Sequence, residues 1–318
     1  MGNLAIYPGQ KRGISAMNTY LRHLSCLVFT SAVVAGVLAA GPGTAAGAAV
    51  TTGTTTCSGT PSAPGVLTGT HGAVVVRGAC EVNAGAAVVN GNLTISPGSV
   101  LLAAFALNDK TGTGTSSLAV RGNVLVRAGA TLVMGCNPAN FACLDDPNPN
   151  KPTLSMHPTV GLDLRSNQPL GIVVHNFTVG GDVIQTGGGG GVNCNPQGVF
   201  KLFQSPVYST YEVGSVGGDV RISSVQSCWM GVVQLQVGNT MVMYRNQLAD
   251  PDAIEILSNN ITGNLICRGN SRTWDSGDIG AHLFPRQPEP NTVGRSRKGQ
   301  CVLSSPTKPG GPHGPGPF

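Results

Sequence analysis

Val120-Arg121-Gly122-Asn123-Val124-Leu125-Val126 decides the fold, because the same seven-residue pattern returns along the chain. Its rule is an aliphatic residue, any residue, Gly, Asn or Asp, an aliphatic, any residue and usually a further aliphatic. Val89 to Ile95, Val216 to Ile222 and Ile261 to Cys267 obey it, and Val179 to Gln185 does so with a polar last position. Looser copies lie around His71-Gly72 and Gly238-Asn239. A second unit follows two of these. Val126-Arg127-Ala128-Gly129-Ala130-Thr131-Leu132 matches Ile95 to Leu101 position for position, and Val82 to Val88 reads as a third copy.

Alternating aliphatics over four to six residues make a half-buried strand. The Gly-Asn or Gly-Asp between them is expected to supply the positive φ of a tight corner. Strand, corner and strand, repeated, wind the chain into coils that bury their apolar faces only by stacking. The fold class expected is all-β: a β-solenoid, of the single-stranded right-handed parallel β-helix type, stapled by disulfides. A β-sandwich also has short strands and turns. It does not explain why Gly-Asn/Asp holds one place in every copy, and aromatics are only 5% of the chain. Gly72 to Gly91 spans 19 residues and Gly218 to Gly238 spans 20, one coil each. On that period Gly181 to Gly218, at 37, reads as two coils, and Gly122 to Gly181, at 59, as three with insertions. Roughly ten coils of about 20–25 residues result.

Outward from the repeat, the chain divides into a leader, a repeat domain and a tail. Residues 24–40 are an apolar run preceded by Arg22 and His23, and Ala46-Gly47-Ala48 fits a small-residue cleavage site. This predicts a secretory signal at 17–48 starting at Met17, with 1–16 as an upstream extension. Three of the 19 basic residues, Lys11, Arg12 and Arg22, precede that site and no acid does. The remainder carries 16 bases against 14 acids, too even a balance to argue for nucleic acid as a partner. The β-helix domain is expected over 49–301, with insertions near 136–156, 187–197 and 270–291. Residues 302–318, rich in Pro and Gly, are expected to be a disordered tail.

Cys26 leaves with the signal. The other eight cysteines, Cys57, Cys80, Cys136, Cys143, Cys194, Cys228, Cys267 and Cys301, are an even set in an exported chain, which argues for disulfides. No C-x-x-C pair is present, so zinc is not indicated. The sequence leaves the connectivity open, with pairing in sequential order expected of a solenoid.

The segment Asn260-Ile261-Thr262-Gly263-Asn264-Leu265-Ile266-Cys267-Arg268-Gly269-Asn270, then Asn291-Thr292-Val293 and Gly299-Gln300-Cys301, resembles an ending of secreted, uncharacterised actinobacterial β-helix proteins. In that family G-N-L-x-C-x-G-N is followed by N-T-V and G-Q-C. The resemblance covers about 40 residues, implies a bond between Cys267 and Cys301, and carries no activity with it. This chain departs from it by a long insertion containing Trp274.

No catalytic constellation stands out. Polysaccharide lyases and hydrolases on this fold need carboxylates gathered on one face, for Ca²⁺ or for acid and base work. Asp182 and Asp219 hold equivalent repeat positions, and Asp145 and Asp146 sit in a Pro-rich loop. These four are the metal candidates, Ca²⁺ being the ion they would take. The bland reading is that Asp replaces Asn at a corner and that Asp145-Asp146 makes a turn. Trp229, Trp274 and Tyr244 are candidates for stacking on sugar rings. His71, His157 and His175 lack a visible nucleophile partner. The function expected is non-enzymatic: an extracellular or cell-surface structural or adhesive protein whose partner is cell-wall or extracellular polysaccharide, without a cofactor. The alternative is a polysaccharide lyase or hydrolase, which would place Asp182, Asp219 or Asp145 beside Arg221 in an open cleft.

Overall fold

A computed structural model describes residues 53–250, 254–271, 273 and 291–302. The expected signal peptide, the upstream extension, Trp274 and the tail from residue 303 lie outside the described residues, as does most of the 270–291 insertion. The chain is all-β, a parallel β-helix whose only described helical piece is the 3-10 turn Gly198–Lys201. Every named strand pairing is parallel.

Three ladders run along the molecule. The first sheet stacks Leu93–Ile95 on Val124–Val126, Leu164–Asn167, Val183–Thr186, Val220–Ser223, Met241–Tyr244 and Leu265–Arg268 in turn. The second contains Val100–Ala103, Thr131–Met134 and the leading halves of Gly171–Val179, Tyr208–Val216 and Trp229–Val237. The third aligns Val89, Val120, Val160, Val179, Val216, Val237, Ile261 and Val293 in one column. Inward positions are mainly buried Val, Leu, Ile and Met, as the period of two requires, with Ser166 and Gln185 as polar exceptions in the first sheet.

That column corrects two intervals. Gly122 to Gly181 holds two turns rather than three, because Val120 pairs with Val160 and Val160 with Val179. Gly181 to Gly218 is one turn rather than two, because Val179 pairs directly with Val216. Loops leaving the corners absorb the extra residues without disturbing the stack. They run from Gly135 to Pro158 and from Gly187 to Val207, the second ten residues longer than the composition suggests. A shorter one runs from Ala104 to Ser116, with Asn108, Asp109, Gly112 and Gly114 at its tip.

The marker glycines also work differently from expectation. None of Gly91, Gly122, Gly181 and Gly218 has positive φ. They are glycine because the preceding turn is too close. A Cβ on Gly122 would lie 2.7 Å from Asn92 Oδ1, one on Gly181 2.2 Å from Asp163 Oδ1, and one on Gly218 2.1 Å from Asp182 Oδ1. Positive φ occurs at the other two corners, often without glycine: Gln168, Ser224 and Arg245 at one, Asn176, Val213, Gln234 and Ser258 at the other. Val82 to Val88 is not a third copy of the Val126 corner. It joins the second sheet to the third, with Gly85 at φ 95°, whereas Gly98 and Gly129 join the first to the second at 68° and 67°.

The disulfides pair in sequential order: Cys57–Cys80, Cys136–Cys143, Cys194–Cys228 and Cys267–Cys301. The first and last fasten the ends of the described stack, and the middle two fasten the long loops. Such bonds persist in an oxidising compartment. Among the described residues no helix is long and apolar enough to cross a membrane.

Candidate functional site

One ridge runs along a corner: Asn92, Asn123, Asp182, Asp219 and Asn264, each directly after a glycine, together with Asp163 and Thr240, each two residues after one. The side-chain oxygen of each except Asn264 accepts the backbone N–H of its equivalent on the next turn, and Asn264 Oδ1 accepts the Ser296 hydroxyl. Asn123 donates to Asn92 Oδ1 at 2.8 Å, Asp163 to Asn123 Oδ1 at 3.1 Å and Asp182 to Asp163 Oδ1 at 2.7 Å. Asp219 donates to Asp182 Oδ1 at 2.8 Å and Thr240 to Asp219 Oδ1 at 2.9 Å. Asp182 and Asp219 therefore do share a ridge, as their equivalence implies, but their inner oxygens satisfy the main chain. The outer oxygens of Asp163 and Asp219 each take an arginine two residues on, Arg165 and Arg221, both at 2.6 Å. Burial pushes Asp163 and Asp219 up, but backbone N–H donors and these arginines outweigh it and hold both below the ordinary carboxylate range.

We expect Gly218→Ala to push Asp182 off the Asp219 N–H and to cost about 3 kcal/mol, combining a lost hydrogen bond with strain. Calorimetry should show a melting point lower by about 8 °C. A loss under about 2 °C would mean that the ridge yields freely.

Asp145 and Asp146 lie in the loop pinned by Cys136–Cys143. Asp146 is buried and accepts three N–H groups, from Asn148, Thr153 and Leu154, at 2.9–3.0 Å. Burial raises its pKa, and those donors more than reverse the effect. Asp145 accepts the N–H groups of Ala106 and Leu107, tying this loop to the shorter one. Its carboxyl is pushed up, chiefly by burial. Burial and the neighbouring acid likewise raise Glu81 to about 7 and Asp109 to about 6. Among the described residues no three His, Cys, Asp or Glu side chains converge to hold a cation. Asp145 and Asp146 each fasten turns through these bonds.

The two long loops lie over the outer surface of the second sheet, so Val133, Val173, His175, Thr210 and Glu212 are buried there. His175 stacks on Phe141 of the 136–158 loop, ring centroids 4.6 Å apart. Its Nδ1 is 3.6 Å from Glu212 Oε2, beyond a hydrogen bond, and neither ring nitrogen has a partner. Burial pushes Glu212 up to about 7 and His175 down to about 3. The pair is neutral near pH 6 and has no path to a substrate.

The first sheet is different. Its outer surface carries two columns at the strand spacing of about 4.8 Å. One is Val75, Thr94, Leu125, Arg165, Ile184, Arg221, Val242 and Ile266, its aliphatics half-buried and its arginines exposed. The other is Asn167, Thr186, Ser223, Tyr244 and Arg268. Where this face meets the ridge, Leu125, Leu162, Asp163 and Arg165 line a shallow depression.

No family model matches the chain, and no curated protein or solved structure is similar to it at a significant level.

The aromatic candidates separate on this geometry. Trp229 is 1% exposed, edge-on to Tyr208, and fills the layer under the second loop, so it presents no surface to a sugar. Tyr244 is 38% exposed on the first sheet, with Arg245 4.9 Å from its ring centroid. Of the carboxylates the lyase or hydrolase alternative names, Asp219 does lie beside Arg221, with Asp182 on the preceding turn, whereas Asp145 is bonded to the turn of Ala106 and Leu107 elsewhere. Within the Tyr244 column, Thr186, Ser223 and Arg268 stand one position beyond a clear repeat, but the repeat rule gave no reason to prefer that face.

Proposed function

We propose that this is an exported, extracellular or cell-surface protein of structural or adhesive type that lays a polysaccharide along the outer surface of its first sheet. The observation carrying this is the Asn167–Thr186–Ser223–Tyr244–Arg268 column. An amide, two hydroxyls, an aromatic ring and a guanidinium at a regular spacing suit a polymer of hydroxyl-rich units. Apolar ring faces of such units have Tyr244 and the half-buried Ile184, Val242 and Ile266 to rest on. A second support is that one oxygen of each of Asp163, Asp182 and Asp219 holds the main-chain N–H of the next turn. The four disulfides and the apolar run at 24–40 agree with export. The Asn260 to Cys301 ending supports placing the chain with the secreted actinobacterial proteins it resembles.

The test is retention on insoluble cell-wall and plant polysaccharides, comparing the oxidised wild type with a Tyr244→Ala/Arg268→Ala variant. Both residues are exposed, so the fold should survive. About tenfold weaker binding by the variant is expected, equivalent to 1.4 kcal/mol. Equal binding by the two proteins, or none by the wild type, would overturn the assignment to this face.

A further inference from the structure

The even balance of acid and base along the chain conceals an uneven distribution over its surface. Glu81, Asp109, Asp145, Asp146, Glu212 and Glu255 lie on the second sheet or in the loops that leave it. The outer surface of the first sheet is the reverse. Arg165, Arg221 and Lys298 stand in its first column, and Arg268 in its second. Arg77 and Arg127 directly follow the paired Val76 and Val126 and so continue the column of Arg268. All six are exposed. Arg245, at the corner beside Tyr244, adds another. Three acids border this surface, all on the ridge, and Asp163 and Asp219 among them are matched by Arg165 and Arg221. Among the described residues, Arg77, Arg127, Arg268 and Lys298 form no ion pair.

The stacking of the turns sets these cations in a row. From Arg77 through Arg127, Arg165, Arg221 and Arg268 to Lys298, successive members are one or two rungs apart. No interval therefore exceeds about 10 Å, and the row extends for about 38 Å. Such a field draws in a polyanion and is strongest where the acids are fewest. The row is sparse beside a nucleic-acid strand, which presents a phosphate about every 3.4 Å. Its intervals hold Leu125, Ile184, Val242 and Ile266 with one aromatic ring, Tyr244, rather than the run of rings on which bases stack. A sugar unit in an extended chain advances by about one strand spacing, so intervals of one or two rungs match one or two units. Guanidinium groups pair with carboxylate and phosphate oxygens two at a time. Asp163 and Asp219 engage Nε and Nη2 of Arg165 and Arg221, which orients each guanidinium and leaves its Nη1 uncommitted.

We propose that the polysaccharide laid along the first sheet is acidic: a linear chain with a carboxylate or phosphate on each unit or on alternate units, held by the row from Arg77 to Lys298. This inference rests on the polysaccharide-binding role proposed for that face and adds the charge of its ligand.

The experiment measures retention of the oxidised chain on immobilised polygalacturonate, immobilised teichoic acid, cellulose and immobilised duplex DNA at several salt concentrations. At least one of the two acidic glycans should hold the protein saturably, and the preferred one identifies the anion as carboxylate or phosphate. Raising salt from about 50 to 200 mM should weaken that binding at least about tenfold. Arg77→Gln/Arg127→Gln, at exposed positions distant from Tyr244, should weaken it about fivefold. Lys110→Gln/Lys151→Gln removes the same charge from exposed loops on the other side and should leave binding unchanged. Cellulose held as tightly as the acidic glycans, without salt dependence, would overturn the acidic ligand and leave the polysaccharide face standing. No retention on any of the three glycans would overturn both. An arginine variant that binds like the wild type, an equal loss in the lysine variant, or DNA held as tightly as the preferred glycan would each overturn the proposal.

Discussion

Replacing Asn259 with leucine is expected to lower stability by about 4 kcal/mol, while the same change at its neighbour Asn260 costs less than about 0.5 kcal/mol. Asn260 opens a short strand and Asn259 immediately precedes it, but the two face opposite ways. Asn259 is 1% exposed. Its Oδ1 accepts the Leu235 N–H, and its Nδ2 donates to Val232 O and to Asn291 Oδ1. Asn291 repeats the arrangement one turn on, accepting the Asn259 N–H and donating to Ile256 O. Leucine would strand a buried donor and a buried acceptor, each costing about 1–3 kcal/mol. Asn260 has only an exposed bond to Gln236. Urea unfolding of the two variants checks the contrast, and equal losses would mean that the inner ladder contributes nothing beyond packing.

The second large effect concerns pH. Glu81 and Glu212, each at about 7, and Asp109, at about 6, sit above their ordinary values of 4.5 and 3.8. A carboxyl raised in the folded state binds its proton more tightly there. The stability it contributes is present below the unfolded pKa and is lost as pH rises through the folded one. His175, depressed from 6.5 to about 3, has the opposite slope: its contribution is present above 6.5 and lost as pH falls toward 3. Asp146, Asp163 and Asp219, held low, add to the loss on the acid side. Three raised acids outweigh one histidine from about pH 4.5 upward, so maximum stability falls near pH 4.5 and the protein weakens until about pH 7, staying weaker at pH 8. Glu212→Gln isolates one contribution. It keeps an acceptor for Thr210 and turns an amide toward His175. It should stabilise by about 2–3 kcal/mol at pH 8 and change little at pH 5. Melting curves across that range decide it. A destabilised variant at pH 8 would show that Glu212 is ionised in the folded protein.

The sequence carried the architecture because the fold is a repeat and each copy states the same local rule. Val120 to Val126 and Val216 to Ile222 agree at every constrained position, and alternation says which side is inside. What the rule does not contain is the distance between copies. Loops such as Gly187 to Val207 leave at a corner and return to it, so length alone made one turn look like two. The role of the marker glycines was hidden for a related reason. Positive φ is a property of one residue, whereas the contact between Gly218 and Asp182 exists only once two turns are stacked.

The inner asparagines were legible in principle. Asn246 and Asn270 each stand five residues after the first strand residue of their turn, Met241 and Leu265, and Asn259 and Asn291 each stand two before Ile261 and Val293. A buried polar residue at a fixed offset signals a ladder, but it is inconspicuous in a chain rich in asparagine corners. His175 and Glu212 were not legible, because a covering loop from residues 136–158 buries what strand alternation places on the outside.

The most direct test of the central claim, a protein that holds polysaccharide without cutting it, is one incubation of the oxidised mature chain with the cell-wall or plant polysaccharide that retains it. Bound protein and released sugar are measured together, with and without Ca²⁺. Saturable retention with no new reducing ends and no unsaturated products is the predicted result. Product accumulating in proportion to protein would contradict it, and would mean that the carboxylates of the Asp163–Asp182–Asp219 ridge do chemistry beyond holding the turns together.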